Sequence, residues 1–237
     1  YLVLERLRIS LHASLLFLSL ATREKRPVAI QTKAKYVFAW LIITSLVYFS
    51  VQAVVSDTYS FLSPFDEAIP FLPGFIWIYH TLIPVIVGTA IFSLRRRRAF
   101  FNTIVALTFS MAALTCFHLA FPSYYPRQEL FLDADSSVSL WLVSTTRQFD
   151  AACNTFPSGH VTFSWIMYFC ARLSDNIRRT SKLIYVYLFW AVLISISTLV
   201  LKQHYIFDVA SGIILAYISM MVGCAVTSRY MNVEVNT

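Results

Sequence analysis

Charge is what this chain has least of: 13% of its 237 residues are charged against 58% hydrophobic, and its mean hydropathy is +0.65. A soluble domain carries roughly 25% charged residues. The shortage excludes an ordinary soluble fold, and the apolar runs are long enough to cross a bilayer. Cysteine is sparse too. Three of the four, Cys116, Cys170 and Cys224, fall inside apolar runs and only Cys153 falls in a connecting loop, so no disulfide framework is expected. No polar stretch forms a soluble domain, and no internal repeat is visible. The formal net charge of +7 gathers in short clusters at the ends of apolar runs, which argues against a nucleic-acid partner and for orientation in a membrane.

What is present is a series of six candidate spans: Ala34 to Ser56, Gly74 to Leu94, Ala99 to Phe121, Gly159 to Leu173, Leu183 to Leu201 and Tyr205 to Thr227. A lone spanning segment must satisfy its own backbone hydrogen bonds, so each is expected to be helical. The expected fold is an all-α integral membrane protein with a six-helix core over 34–227, preceded by a basic, interfacial segment (1–33) and followed by a short tail (228–237). Within the first segment, Tyr1 to Ala21 is too brief in its apolar part to span, and reads as an interfacial helix or a truncated remnant. Two further stretches read as interfacial structure. Phe61 to Pro73, with three prolines, suggests a re-entrant turn. Ser136 to Phe149 suggests a helix on the membrane surface with Trp141 inward, and the loop before it is expected to roof a pocket.

Basic residues fix the expected orientation. The N-terminal segment, Arg95 to Arg98, the turn from Arg172 to Lys182 and the tail hold 16 of the 19, leaving Arg127, Arg147 and Lys202 on the other side. The basic side is expected to be cytoplasmic, with both termini there. The third span then ends, and the fourth and sixth begin, on the external face. Two polar strings consequently share that face: Asn154-Thr155-Phe156-Pro157-Ser158-Gly159-His160 and Lys202-Gln203-His204-Tyr205-Ile206-Phe207-Asp208.

In the first string Pro157 favours an extended approach, Ser158 is a good helix N-cap, and Gly159 lets a ligand come close to the backbone amides of the first turn. A helix start of this kind cradles phosphate, and His160 sits within it. In the second, His204 and Asp208 are four apart, a spacing that puts them on one helical face where the carboxylate orients one imidazole nitrogen and frees the other to attack. Two histidines with opposite tasks suit a two-step phosphoryl transfer, with His204 as nucleophile and His160 as general acid and then base. Arg127 and Lys202 are the cations expected to neutralise phosphate oxygens.

These residues carry a resemblance. Pro157-Ser158-Gly159-His160, then Ser197, His204 and Asp208, resembles the signature of the type 2 phosphatidic acid phosphatase superfamily, whose third motif runs S-R-x5-H-x3-D. The resemblance implies a six-helix membrane core and phosphate chemistry through a phosphohistidine, without metal or other cofactor. His204 is similar to the family's nucleophile, His160 to its acid, Asp208 to its orienting carboxylate, and Ser158 and Gly159 to its phosphate binders. Two departures stand out. The first motif, K-x6-R-P, is replaced by a stretch ending Pro126-Arg127, with Ala120 at the lysine position, and Thr198 stands where the third motif has arginine. The Pro-Arg spelling is similar to the branch containing fungal inositol phosphorylceramide synthase. Lys202 is the candidate to replace the lost arginine.

The implied partners are the bilayer and a lipid phosphate or diphosphate held at head-group level on the external face. The catalytic residues are the same whether water or a lipid hydroxyl resolves the intermediate. Competing readings are a transporter or scaffold, which would place ionisable residues at span centres where this chain has none, and a metal site at His160, His204 and Asp208, disfavoured by the nearby cations. Arg127 has a second reading as a loop arginine paired with Glu129 or Asp133, and Lys202 as an interfacial residue. His80 and His118 read as helix-packing residues, with lining of the pocket as the second reading of His118, and Arg95 to Arg98 read as a topology anchor, with binding of an anionic head group as their second reading.

Overall fold

The computed structural model describes residues 28–56, 59–94, 96–127, 137–173 and 181–233, and these residues are helical apart from turns and two isolated β-bridges. The expected interfacial segment Tyr1 to Ala21, the patch Arg23 to Arg26, Arg95, and Glu129, Asp133 and Asp135 lie outside them. The helices are α1 (Ile30–Gln52), the short α2 (Pro64–Ala68), α3 (Ile76–Tyr79), α4 (Leu82–Gly88), α5 (Arg97–Ala120), α6 (Val138–Phe149), α7 (Gly159–Leu173), α8 (Ser181–Val200) and α9 (Ile206–Val233). Among the described residues five segments are long and apolar enough to cross a membrane: Ile30–Gln52, Pro73–Ser93, Arg97–Ala120, Lys182–Val200 and Ile206–Tyr230. The remaining expected span, α7, has 15 described helical residues, a rise of about 22 Å against about 30 Å of hydrocarbon. Its flanks are closely covered: α7 packs among α5, α8 and α9.

The second expected span is not one continuous helix. A 3-10 turn (Pro73–Phe75) leads into α3, the chain bends at His80 and Thr81, α4 follows, and the segment ends in a π-turn over Thr89–Ser93. Pro84 explains the bend: it offers no N–H to the carbonyl of His80 and its ring crowds that carbonyl. At the far end Lys33 of α1 donates to the carbonyl of Leu94, supplying a donor where the helix has run out of its own.

Close packing of α9 against its neighbours depends on two glycines. A Cβ at Gly223 would stand 2.3 Å from the carbonyl of Asn102 on α5, and one at Gly212 would meet the carbonyl of Ser158 at 3.0 Å and Val161 at 3.1 Å on α7. Thr162 of α7 donates to the carbonyl of Gly212 at 3.2 Å across that contact. Small residues that admit backbone-to-backbone approach hold membrane helices together where lipid gives no hydrophobic push. The Gly212 crossing matters most, because it sets the start of α9 against the start of α7.

The two expected interfacial stretches have form. In the first, Ser63 opens α2 with a capping box, its side chain accepting from Asp66 N while the Asp66 carboxylate takes the Ser63 N–H. In the second, α6 begins at Ser137, whose hydroxyl accepts from Leu140 N at 3.2 Å. It turns Val143 into the protein and leaves Trp141 54% exposed, so Trp141 faces away from the fold. The connecting stretch 121–127 crosses beneath, bridging Tyr59 to Ser123 and Tyr124 to Cys153.

Candidate active site

The site is built at one end of the bundle, where α5 ends, α7 begins, α8 ends and α9 begins. Ser158 is the N-cap of α7, its hydroxyl accepting from Val161 N at 3.4 Å while its carbonyl takes Thr162 N at 3.0 Å. The Gly159 and His160 amides, first in the helix, have no intrahelical acceptor by geometry. A Cβ at Gly159 would meet only ordinary contacts, Leu114 at 3.6 Å and Phe163 at 3.9 Å, so packing inside the protein does not demand glycine there. The loop carrying this turn is pinned from below by Ser123, whose hydroxyl accepts from Phe156 N and from the Thr155 hydroxyl, each at 2.9 Å.

His204 sits where α8 gives way to α9. The last turn of α8 closes with Gln203 N on Thr198 O at 3.0 Å and Lys202 N on Leu199 O at 3.0 Å, and Lys202 takes a left-handed φ of 56°. His204 therefore belongs to a turn, not to a helix, and its pairing with Asp208 arises differently from the expected helical face. Asp208 is the third residue of α9. Its Oδ2 reaches back to the Tyr205 N–H at 3.0 Å, as N-terminal carboxylates do, and in that pose lies 3.3 Å from His204 Nδ1. His204 Nδ1 also lies 2.9 Å from the carbonyl of Thr155. A nitrogen facing both a carbonyl and a carboxylate carries the proton, which leaves Nε2 with its lone pair. Asp208 is fully buried, and its Oδ1 finds no partner among the described residues.

The start of α9 is held from outside by the α2 segment. Asp66, itself buried, accepts from Ile206 N at 2.8 Å, and its own carbonyl accepts from Lys202 Nζ at 2.7 Å. Burial lowers the pKa of Lys202, with Asp66 and Glu67 opposing the shift. Lys202 is thus engaged with α2.

His160, on the facing helix, has its ring centroid 6.3 Å from that of His204. Tyr79 stacks on it at 4.1 Å with a 24° tilt, and Tyr79 Oη lies 3.4 Å from His160 Nδ1. His118 approaches from α5, with Nε2 3.4 Å from the carbonyl of Pro157, and His80 pairs with Thr146 at 2.9 Å. His118 thus lies against the first string, and His80 ties the second span to α6.

Arg127 enters this cluster. Its Nη1 donates to the carbonyl of Asp150 at 2.7 Å and its Nη2 to Gln203 Oε1, beside His204. A second guanidinium, Arg147 of α6, donates to the carbonyl of Leu201 at 3.1 Å and lies over the ring of Phe71 at 5.5 Å. Burial, and then the positive charge of Arg127, lower its pKa to about 10. Thr198, at the position of the family's arginine, is buried and turns its hydroxyl onto Ser195 O at 2.7 Å. Around the cluster, Gln203 Nε2, the Nε atoms of Arg127 and Arg147, and both amide atoms of Asn154 are buried with no partner among the described residues. Buried polar groups are ordinarily paired, and these five atoms lie together at this end of the bundle.

Sequence reasoning missed Asp66, Ser123, Tyr79, Asp150, Gln203 and Arg147. Gln203 lies inside the second string, beside His204, and Arg147 and Asp150 are three residues apart; none of the six is marked by a spacing of its own. Among the described residues no group of three His, Cys, Asp or Glu side chains is arranged to hold a metal ion.

A helix start, two imidazoles and two guanidinium groups are gathered at one end of the bundle, an arrangement that can handle phosphate. Residues 139–231 match the family described as the PAP2 superfamily. The match covers α6 to α9 and both histidine strings, and places the chain among phosphatases and phosphotransferases. No curated protein and no solved structure matches the chain.

Proposed function

We propose that the protein is a membrane lipid phosphate phosphatase that works without metal through a phosphohistidine on His204. The observation that carries this reading is the pair of imidazoles with ring centroids 6.3 Å apart, each with Nδ1 engaged by the protein and Nε2 left for substrate. In the first step His204 Nε2 gives its lone pair to phosphorus, and the bond to the leaving oxygen breaks with its electrons. That oxygen takes the proton from His160 Nε2. In the second step His160 accepts a proton from the incoming hydroxyl, which displaces His204. Asp208 steadies the positive charge that grows on the His204 ring. The Ser158 to His160 turn offers amides to the equatorial oxygens, and Arg127 and Lys202 supply charge, with Arg147 as a further cation near Arg127.

Substrate is drawn from lipid. The site lies at the end of the bundle opposite Lys33, Arg98 and Arg172, and the bias of basic residues to the cytoplasmic side supports a six-pass reading with both termini cytoplasmic and the site at the external head groups. Phe156 and Phe207 stack at 5.1 Å beside the histidine strings, with Phe207 55% exposed, and offer an apolar edge for a chain that stays in the bilayer. A second reading is transfer to a lipid or sugar hydroxyl, as in the inositol phosphorylceramide synthase-like branch, and the Pro126-Arg127 order favours it. Incubating the purified protein with a panel of labelled lipid phosphates decides between them. Release of inorganic phosphate supports the phosphatase, a labelled second lipid supports the transferase, and neither product would refute both.

A further inference from the structure

Asp208 serves His204, and a second carboxylate serves His160. Asp150 follows α6 in a loop. Its Oδ1 accepts from the hydroxyl of Tyr48 on α1, its Oδ2 accepts from Tyr79 Oη at 3.2 Å, and its carbonyl takes Arg127 at 2.7 Å. Tyr79 is buried, lies flat on His160, and has its hydroxyl 3.4 Å from Nδ1. Once the Tyr79 proton points to Asp150, its oxygen lone pair faces His160 and accepts the Nδ1–H. We propose that Tyr79 and Asp150 are positioning residues for the acid step, a hydroxyl and a carboxylate in series that stabilise the imidazolium of His160 and aim its Nε2–H at the leaving oxygen.

The physical need is plain. His160 must be charged before it can donate, and a buried site disfavours that charge unless an opposite charge faces it. The groups that face His160 are Tyr79 and His80 from the second span, Asp150, and His204. Those around Asp150 are Tyr48, Tyr79 and Arg127, with Cys153 near Tyr48. Of these, His204 and His80 repel an imidazolium and Asp150 attracts it. No proton has to leave Tyr79 or reach Asp150: His160 Nε2–H passes to the departing oxygen, and the Nδ1–H···O–H···O chain stays in place. Because the Asp150 carbonyl also holds Arg127, the same loop aligns the acid with a phosphate-binding cation.

This inference rests on His160 being the acid, and the experiment separates the two. Wild type, Tyr79→Phe, Asp150→Asn and His160→Ala, each as the full chain in detergent, are assayed against pH on two substrates. One is a diacylglycerol phosphate, whose alkoxide needs a proton to leave. The other is a nitrophenyl phosphate bearing an alkyl chain, whose phenoxide does not. Tyr79→Phe keeps the stacked ring, so it remains informative should Asp150→Asn fold poorly. On the alkoxide substrate, Tyr79→Phe and Asp150→Asn are expected to lose about 10- to 10²-fold in kcat/KM, a part of the roughly 10²- to 10⁴-fold that general acid catalysis contributes. Their fall in kcat/KM at high pH should move to lower pH by roughly one unit, since an opposing charge at this range shifts a titration by that much. On the nitrophenyl substrate kcat/KM, which ends at phosphorylation of His204 and excludes the step in which His160 acts as base, should stay near wild type for both. Equal losses on the two substrates with an unmoved pH limb would overturn the positioning role, leaving His160 as acid if His160→Ala alone shows the leaving-group dependence. Absence of that dependence in His160→Ala would remove the acid itself, and the relay with it.

Discussion

His204 owes its place to three neighbours that a substitution can address separately: the Thr155 carbonyl, the Asp208 carboxylate and the αL turn at Lys202. His204→Ala is expected to abolish turnover, and His160→Ala to lower it by about 10²- to 10⁴-fold on an alkyl phosphate. Residual rates near wild type in the first variant would end the nucleophile assignment. Asp208→Asn keeps an acceptor for the Tyr205 N–H, so the protein should fold while enzyme phosphorylation slows, which rapid quench would register. Lys202 has two separable roles, a positive φ and a cation. Lys202→Gly should gain about 1 kcal/mol in thermal unfolding by relieving the backbone while weakening substrate binding. Unchanged KM would confine Lys202 to its bond with Asp66. Legibility at this scale follows from spacing: His160, His204 and Asp208 lie in short strings whose chemistry is local. Tyr79 and Asp150 meet only because α3 and the loop after α6 converge, and nothing within either stretch announces the other.

Among the elements, the α7 to α9 crossing is what brings the two strings together. Gly212 has Ser158 O at 3.0 Å from its would-be Cβ, so Gly212→Val should push the two helix starts apart. Activity is expected to fall at least as far as in His160→Ala while the protein still inserts into membranes, and full activity in a correctly inserted variant would contradict the crossing as the organiser. The helices themselves were readable because hydropathy and length are properties of a continuous stretch. Their ends shifted by a few residues, as expected where capping and not hydropathy sets the boundary. The break in the second span was implicit in Pro84. The near-contact at Gly212 was not, since it depends on which helix lies opposite.

Taken whole, the molecule has two chemically different ends. Lys33, Arg98, Arg172 and Lys182 lie at one and the histidine strings at the other, and α7 runs from the histidine end toward the basic end. Charge counting made that division legible before any coordinates. Of the loop expected to roof the pocket, residues 128–136 lie outside the described ones, while α6 is legible as a helix but the face it turns inward, at Val143, is not. In an oriented vesicle assay, a membrane-impermeant thiol reagent applied outside should label a cysteine placed at Phe61 and spare one placed at Lys182, and the reverse labelling would invert the assignment. Vanadate is expected to inhibit and EDTA to leave the rate unchanged. The opposite pattern would favour a metal centre.

Trapping the intermediate tests the central claim most directly. Protein mixed with lipid phosphate labelled in the phosphoryl group is quenched in alkali within one turnover and digested, and the label is located by mass spectrometry. The expected result is a phosphate on His204, stable to base, lost in acid, and missing from His204→Ala. Label on His160 instead, or turnover without any label on the chain, would contradict it.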